Sequence, residues 1–324
     1  MDGFLNVLKP RGLTSHDMVL EVRRAFGQRK AGHLGTLDPM AQGVLPVALG
    51  SYRRLSEYLL DEDREYLAEF IFGIATDTGD LDGQVISRTQ ALHLTSSDVN
   101  KLLPGFTGEI KQIPPAYSAV QIDGRRLHRL ARQGITVKIP ARDVKVHKFQ
   151  LLNWKPGPYP KGVFSLKVGR GTYVRSLAED LGEELGCGAT VSYLLRTRVG
   201  NFLLKDAMPL HSLTNRFFAF RQEDVLVSPR DVFERFPLLE IKPGSIDSVK
   251  HGVQLNEDDF LNPGIIRTWS EPGHKSRQGK KPIFMGIYKE PSSHKERLVC
   301  VLSIASEGET SCRIKYRKVL IQEE

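Results

Sequence analysis

The segment Gly32–Pro46, with the sequence GHLGTLDPMAQGVLP, places a single carboxylate, Asp38, directly before a proline. The residue before proline is disfavoured in helices, so we expect Asp38 in an extended conformation with a fixed side-chain direction. An ionised carboxylate that is aimed at an electrophile and paired with a cation can act as a covalent nucleophile. Asp-Pro on its own more often starts a turn. The segment leaves both interpretations open.

Two other segments carry charged side chains that could serve a carboxylate nucleophile. Arg175 lies four residues after Gly171, in the first turn of a predicted helix, where it could hold a carboxylate with two hydrogen bonds. Asp80 lies in TDTGDLDG, which resembles the start of a calcium loop, but Thr89 stands where the bidentate glutamate is needed. Calcium binding is therefore not predicted, and the segment around Arg175, taken alone, favours an ordinary surface arginine.

Charge is unevenly distributed in this chain of 324 residues with a formal net charge of +8. From Glu57 to Asp82 there are nine acidic residues and one basic residue, whereas from Arg125 to Lys148 there are eight basic residues and one acidic residue. From Pro272 to Lys289 there are five basic residues and no acidic ones. Such segregation indicates one or two basic surfaces, and the net charge fits a polyanionic partner or an acidic surface.

The sequence lacks the motifs of several protein classes. It has no Walker phosphate loop, no nucleophile elbow, no HExxH and no CxxC pair. The three cysteines are odd in number, which favours a reduced, cytoplasmic compartment without a disulfide framework or a zinc site. No apolar run reaches the roughly 18 residues of a membrane span, and no signal peptide is evident. We therefore expect a cytoplasmic protein, monomeric by default, without a Walker-type nucleotide site or a zinc site.

Residue periodicity predicts a mixture of helices and strands without regular βαβ alternation, which favours an α+β fold. Capping boxes at Thr14 and Thr95 predict helices, and further helices are expected around Arg125–Gly134, with Arg125, Arg129 and Arg132 on one face, and at Tyr173–Leu185. Strands are predicted at Glu65–Phe72, Val163–Val168 and Val191–Phe202. After a composition shift near Ser228–Pro237, the pattern predicts a small, mostly β module with strands at Gly264–Ser270, Ile283–Lys289, Leu298–Ala305 and Ser311–Ile321.

Seven motifs in chain order resemble the bacterial TruB-type tRNA pseudouridine synthases. The motifs are LNVLKPRGLTSHD, GHLGTLDPMAQGVLPVALG, the REY strand, TDTGDLDG, IPPAYSAVQIDGRRLHRLARQG, GTYVRSLAEDLG and LGCGATVSYLLRTRVGNF. The resemblance covers Leu5 to about Phe202 and implies isomerisation of the uridine at position 55 in the TΨC arm of tRNA. It implies no cofactor.

The resemblance implies roles for particular residues in the chemistry. Asp38 matches the catalytic aspartate, which attacks the target nucleoside at either the sugar C1′ or the base C6. Arg175 matches the arginine that pairs with this aspartate, and Asp80 matches a second acid of the same network. Tyr66 matches the tyrosine that stacks on the flipped base and is also a candidate base for proton removal.

Further matches concern substrate binding. His33 matches the histidine that occupies the space left by the flipped uridine. Tyr173 and Leu194 match residues that line the uridine pocket. Lys9 and Pro10 match an N-terminal pair that supports the active-site loop.

For the whole chain, the resemblance implies a catalytic domain of the pseudouridine synthase type over residues 1–232, built on a mixed, largely antiparallel sheet with helices. A basic insertion near residues 121–150 would contact RNA. Residues 236–324 would form a small, mostly β, PUA-like RNA-binding domain, and its basic tract Lys275–Lys281 suits phosphate contact or a solvated loop equally.

Two other classes of function stay open at this point. An RNA-binding protein or RNA chaperone would need the basic surfaces and aromatic side chains but not Asp38. A glycoside-type hydrolase would use Asp38 with a second carboxylate and would release free base.

Overall fold

The computed structural model describes residues 1–219, apart from 119, 123 and 136, and residues 225–270, 282–291, 295–306 and 312–321. The chain forms two compact units. The larger unit comprises Asn6–Val47 and Leu55–Asp224, and the smaller unit comprises Met1–Leu5, Ala48–Arg54 and Val225–Glu324. The predicted boundaries at 1–232 and 236–324 stay a prediction, and the basic tract Lys275–Lys281 lies outside the described residues.

The larger unit contains most of the described elements. Its strands are β1 (Gly3–Lys9, which begins in the smaller unit), β2 (Ala31–His33), β3 (Gln42–Leu49), β4 (Arg64–Phe72), β5 (Ile74–Thr76), β6 (Val85–Arg88), β7 (Gly108–Gln112), β8 (Gln121–Ile122), β9 (Arg125–Arg126), β10 (Arg142–Lys155), β11 (Lys161–Val168), β12 (Ala189–Val199) and β13 (Phe202–Leu203). Its helices are α1 (Ser15–Ala25), α2 (Ser56–Leu59), α3 (Ser96–Leu102), α4 (Leu127–Arg132), α5 (Val174–Glu184) and α6 (Leu210–Ala219).

Within the described residues, one sheet of nine strands organises this unit. Its main order is β1-β3-β12-β4-β11-β10-β7, with β13 beside β12 and β2 beside β3. The pairs from β12 through β4, β11 and β10 to β7 are antiparallel, whereas β12 and β3 are parallel. The predicted mixed, largely antiparallel sheet with helices is confirmed.

Strand β4 shows why this sheet forms. Its side chains alternate along the strand, and Tyr66, Ala68, Phe70 and Phe72 are all buried. The ring centroid of Phe70 lies 4.5 Å from that of Phe164 on the neighbouring β11. Cross-strand aromatic pairs of this kind fix strand register as well as burying apolar area. The strand predicted at Glu65–Phe72 is confirmed.

The predicted capping boxes begin two helices. Thr14 accepts a hydrogen bond from the backbone of Asp17, whose side chain accepts in return from the Thr14 backbone, and α1 follows. Thr95 and Asp98 do the same for α3. In α1 the apolar side chains Met18, Val19 and Val22 are buried, as the periodicity predicts. No helix in the described ranges is both long and apolar enough to cross a bilayer.

The predicted helical face of Arg125, Arg129 and Arg132 is wrong. Arg125 lies in β9, which pairs with β8 as a short hairpin, and α4 begins only at Leu127. Gly124, with a φ of +76°, occupies the turn between the two strands. A residue with positive φ favours a hairpin turn over continuation of a helix.

The smaller unit contains a second sheet, of order β14 (Leu238–Glu240), β15 (Ile283–Lys289), β16 (Glu296–Ser306) and β17 (Cys312–Val319). Its described helices are α7 (Pro229–Val232), α8 (Ile246–Lys250) and α9 (Gly264–Ser270). The predicted small C-terminal sheet is confirmed, and its PUA-like character stays a prediction.

The strand predicted at Gly264–Ser270 is wrong, because this segment is helix α9. Pro263 precedes it, and the Ile266 amide donates to the Pro263 carbonyl in the first turn. Proline is pre-organised for the start of a helix, and this local signal prevails over the β-branched residues of the segment. Ile266 packs into the core of the smaller unit with Leu239, Phe260 and Phe284.

Candidate active site

The segment that carries Asp38 is held by its backbone. Every carbonyl from Gly35 to Pro39 accepts a hydrogen bond, from donors in four parts of the larger unit. Ser15, at the start of α1, both donates to the Leu37 carbonyl at 2.9 Å and accepts from the Leu37 amide at 2.8 Å. The Ala41 amide donates to the Asp38 carbonyl, which closes a turn over Pro39. Asp38 therefore occupies an Asp-Pro turn, but one fixed on both sides.

Lys9 stabilises the C-terminal side of the Asp38–Pro39 turn. Its ammonium group donates to the carbonyls of Pro10, Leu13 and Pro39 at 2.9, 2.6 and 3.3 Å, so its three hydrogens all have acceptors. Burial lowers the pKa of Lys9 to about 8, while the nearby Asp38 carboxylate raises it. Lys9 thus remains largely protonated at neutral pH, as its three acceptors require. This geometry is consistent with the predicted support of the active-site loop.

Arg175 pairs with Asp38. The Arg175 Nη2 lies 2.9 Å from Asp38 Oδ2, and the arginine side chain is 4% exposed against 29% for the aspartate. Further hydrogen bonds run from the guanidinium to the carbonyls of Thr78 and Tyr117, at 2.8 and 3.1 Å. Arg175 is therefore no surface arginine. It is a buried cation that fixes one carboxylate oxygen of Asp38 and leaves the aspartate partly open to solvent.

Asp80 is the second acid beside the same guanidinium. Its Oδ2 lies 3.7 Å from Arg175 Nη1, and its Oδ1 accepts from the Thr78 hydroxyl at 2.8 Å and the Asp82 amide at 3.1 Å. Burial raises the pKa of Asp80, while the Thr78 hydrogen bond and the Arg175 guanidinium lower it. The structure thus brings Asp38, Arg175 and Asp80 together, and their catalytic roles stay a prediction.

A third acid, Glu179, lies one helical turn beyond Arg175 on α5. Burial raises the pKa of Glu179 to about 7, the Arg175 guanidinium lowers it, and Asp180 and Asp80 raise it further. The Glu179 carboxylate lies against the backbone of Gly79, where an added Cβ would collide with it. Arg175 and Glu179 are four residues apart on one helix, a spacing that could have predicted the interaction of their charges. This interaction was missed in the sequence analysis.

Tyr173 caps the start of α5 next to Arg175. The Gln112 side chain forms two hydrogen bonds with the Tyr173 backbone. It accepts from the Tyr173 amide at 2.8 Å and donates to the Tyr173 carbonyl at 3.0 Å. Burial raises the pKa of the Tyr173 phenol, a side-chain hydrogen bond with Ser118 opposes the rise, and the Asp38 charge adds to it. Tyr173 is therefore close enough to Asp38 to sense its charge.

Tyr66 and Leu194 lie on adjacent strands of the central sheet. Tyr66 on β4 is directly opposite Arg196 on β12, and Ala68 is opposite Leu194. Side chains two residues apart on a strand share a face, so Tyr66 and Leu194 belong to the same face. Both are buried.

His33 lies on β2, five residues before Asp38, and is partly buried. Its Nδ1 is enclosed without a hydrogen-bond partner among the described residues. Burial lowers the pKa of His33, and the charges of Arg196 and His16 lower it further. The imidazole is therefore neutral at neutral pH, which suits contact with an uncharged ring.

Comparison with solved structures defines the class of fold. A Cbf5-Nop10-Gar1 complex contains a chain similar to this one with a TM-score of 0.68 and 26% identity, covering 99% of this chain and 85% of that chain. The fold is that of the pseudouridine synthases.

Sequence comparison then identifies the family. The model described as TruB family pseudouridylate synthase (N terminal domain) matches residues 23–174, and the model described as tRNA pseudouridylate synthase B C-terminal domain matches residues 175–231. The chain belongs to the TruB family of pseudouridylate synthases. This result confirms the family resemblance and the predicted class of enzyme.

Two curated relatives show how far the similarity extends. The tRNA pseudouridine synthase B of Moorella thermoacetica is 45% identical over 79% of this chain and 84% of its own length. That of Alkaliphilus oremlandii is 37% identical over 95% of this chain and its entire length. The similarity therefore extends beyond the motif-bearing region to nearly the whole chain.

Proposed function

We propose that this chain converts uridine to pseudouridine at position 55 in the TΨC arm of tRNA, with Asp38 as the nucleophile. The names of its relatives support tRNA as the substrate class. The observation that carries the proposal is the Asp38 carboxylate, fixed by its turn and held 2.9 Å from a buried arginine. A general RNA-binding protein would have no need for such a pair.

The reaction is an isomerisation, so its atoms balance without a co-reactant. An Asp38 oxygen bonds to the nucleoside, at C1′ of the sugar or at C6 of the base, and the bond between C1′ and N1 breaks. The uracil turns, C5 bonds to C1′, and the Asp38 oxygen leaves. The proton on C5 is removed and N1 gains a proton. No step requires an oxidant, a metal or ATP.

Arg175 and Asp80 prepare the nucleophile for this attack. Arg175 holds Oδ2 of Asp38, which sets the direction of the other oxygen. Asp80 fixes the guanidinium from its other side. A preorganised charge arrangement of this kind acts without reorganising during the reaction, which is the main source of electrostatic catalysis.

The aromatic and apolar residues receive the flipped nucleotide. The target atoms are inaccessible in a folded RNA arm, so the uridine must leave its stack to reach Asp38. Tyr66 stacks on the extruded base and is the candidate for removing the C5 proton, while Tyr173 and Leu194 line the pocket. The neutral His33 occupies the position that the uridine leaves. Lys9 keeps the Asp38 turn in place.

The basic segment Arg125–Lys148 supports contact with the tRNA backbone. Six of its basic residues are exposed and described, namely Arg125, Arg129, Lys138, Arg142, Lys145 and Lys148. We place the enzyme with its tRNA substrate in the cytoplasm and expect it to act as a monomer without a cofactor.

An unmodified tRNA transcript labelled with tritium at C5 of its uridines tests the proposal. The proposal requires release of one tritium per tRNA and none from a transcript in which position 55 is cytidine. Free uracil would instead indicate a hydrolase, and binding without release would indicate an RNA-binding protein.

A further inference from the structure

Arg196 is a charged side chain that the proposed chemistry does not use. It lies near the middle of β12, and it is fully buried, with 0% of its surface exposed. Burying a charge is costly unless the group is fully hydrogen-bonded. The cost of burying the Arg196 guanidinium must therefore be offset by its hydrogen-bond partners.

Three of its partners belong to β3 and the segment leading to Asp38. Arg196 Nε donates to the Val44 carbonyl at 2.8 Å, Nη1 donates to the Thr36 carbonyl at 2.9 Å, and Nη2 donates to the Gly35 carbonyl at 3.2 Å. Arg196 is thus anchored to the two residues that begin the fixed Asp38 segment.

The next neighbour of Arg196 is the side chain of Tyr66. Arg196 and Tyr66 are directly opposite each other on β12 and β4. Burial lowers the pKa of Arg196, and the adjacent Tyr66 side chain opposes that shift. A guanidinium has only donors, so in a hydrogen bond between the two groups the phenol oxygen accepts.

We propose that Arg196 is a positioning residue, which locks the Tyr66 hydroxyl to the Asp38 segment. The planar Arg196 guanidinium connects the backbone of the Asp38 segment to the Tyr66 side chain. The Asp38 segment and Tyr66 therefore keep a fixed distance from each other. A lysine cannot replace it, because a single ammonium cannot reach carbonyls and a phenol in the fork geometry of arginine. The role rests on the proposed function, since it concerns the same site.

A double-mutant cycle tests this role through kcat and KM for tritium release. Arg196→Lys is expected to lower kcat about 10- to 100-fold, with KM for tRNA little changed. In a Tyr66→Phe background, the same change should cost at least about fivefold less, because the bond it breaks is already absent. Equal losses in both backgrounds would overturn the proposal. Arg198→Lys is the matched control, since Arg198 is on the same strand but donates to Gly200 and pairs with Glu65.

A measurement on Tyr66→Phe alone covers the case in which Arg196→Lys does not fold. This variant leaves a buried guanidinium N–H without its partner, so the unfolding temperature should fall by about 3–8 °C. An unchanged or raised unfolding temperature would contradict the proposal. If the wild-type protein released no tritium, the proposed function would fail, whereas the temperature shift would still test the bond between Arg196 and Tyr66.

Discussion

Arg175 connects three acidic side chains with different surroundings. Asp38 is partly exposed and is the proposed nucleophile, whereas Asp80 is buried, and the pKa values of Asp80 and Glu179 are raised. One guanidinium cannot balance three carboxylates fully. Burial is the main cause of both raised pKa values, and the Arg175 guanidinium opposes it in each acid.

Replacing Arg175 by alanine should lower turnover by about 10²- to 10³-fold, because the variant loses the cation that orients the nucleophile. RNA affinity should change by less than about threefold, since the basic side chains that we propose to contact phosphates lie in Arg125–Lys148. Steady-state tritium release and filter binding measure the two effects separately. Arg170→Ala is the matched control, because Arg170 pairs with Asp61 at 3.0 Å on the surface. An unchanged rate in Arg175→Ala would remove Arg175 from the mechanism.

The raised pKa of Glu179 predicts how the free energy of unfolding changes with pH. Its ordinary pKa is 4.5 and its pKa in the folded protein is about 7. Between these values the folded protein keeps a proton that the unfolded chain has released, so the free energy of unfolding falls as the pH rises through this window. Above about pH 7 the loss is complete.

The variant Glu179→Gln cannot ionise and should escape that loss. At pH 8 its free energy of unfolding should exceed that of the wild type by about 1–2 kcal/mol, and the difference should shrink towards pH 5. Urea unfolding at several pH values measures this difference. Glu184→Gln, on the exposed part of the same helix, should follow the wild type. A constant difference between Glu179→Gln and wild type would show that Glu179 does not titrate in this range.

The parallel pairing of β3 and β12 brings the Asp38 segment to the rest of the site. Gly43 on β3 is opposite Arg196, and an added Cβ there would collide with the Arg196 carbonyl. The φ of Gly43 is +115°, which side-chain-bearing residues rarely adopt. The closeness of the two strands therefore depends on this glycine.

Gly43→Ala should separate β3 from β12, lowering the free energy of unfolding by about 2–4 kcal/mol and kcat by at least about tenfold. Gly108→Ala is the control for backbone strain alone. Gly108 has a similar φ of +101°, but an added Cβ there would meet no neighbouring atom. Chemical unfolding and tritium release measure both variants. If Gly43→Ala were no worse than Gly108→Ala, the close approach would not matter.

Elements with local signals could be predicted from the sequence. The capping residues Thr14 and Thr95 gave correct helix starts, and alternation gave the strand at Glu65–Phe72. Local signals gave a wrong prediction where two of them conflicted. At Gly264–Ser270 the β-branched residues predicted a strand, but the preceding proline favours the helix that forms.

The site was predictable only as far as its motifs extended. The ion pair of Asp38 and Arg175 followed from the family resemblance, and the structure contains it. Arg196 was missed because its carbonyl partners Gly35 and Thr36 are about 160 residues away in the chain. The one available signal was an arginine at a buried position of the alternating strand β12.

The uneven distribution of charge along the chain predicts that tRNA binding depends on salt concentration. Basic side chains on Arg125–Lys148 are exposed, whereas acidic residues concentrate between Glu57 and Asp82. Each phosphate neutralised by a basic side chain releases counterions, so the affinity for tRNA should fall steeply as salt increases.

Replacing Arg142 and Lys145 by glutamine should lower the slope of log affinity against log salt by about 1.5, while kcat at saturating tRNA stays near that of the wild type. Both side chains are exposed on β10. Lys205→Gln removes an exposed charge outside this segment and should leave the slope unchanged. Titrations at several salt concentrations measure the slope. A flat salt profile in the wild type would contradict a basic RNA-binding surface.

The proposed reaction requires that an oxygen of Asp38 bonds covalently to the extruded uridine. Single-turnover tritium release by Asp38→Asn tests this requirement most directly, with Asp61→Asn as a control at an exposed acid. We predict that Asp38→Asn binds tRNA within about threefold of the wild type and is slower by at least about 10³-fold. Conversion by Asp38→Asn at the wild-type rate would contradict the proposed chemistry.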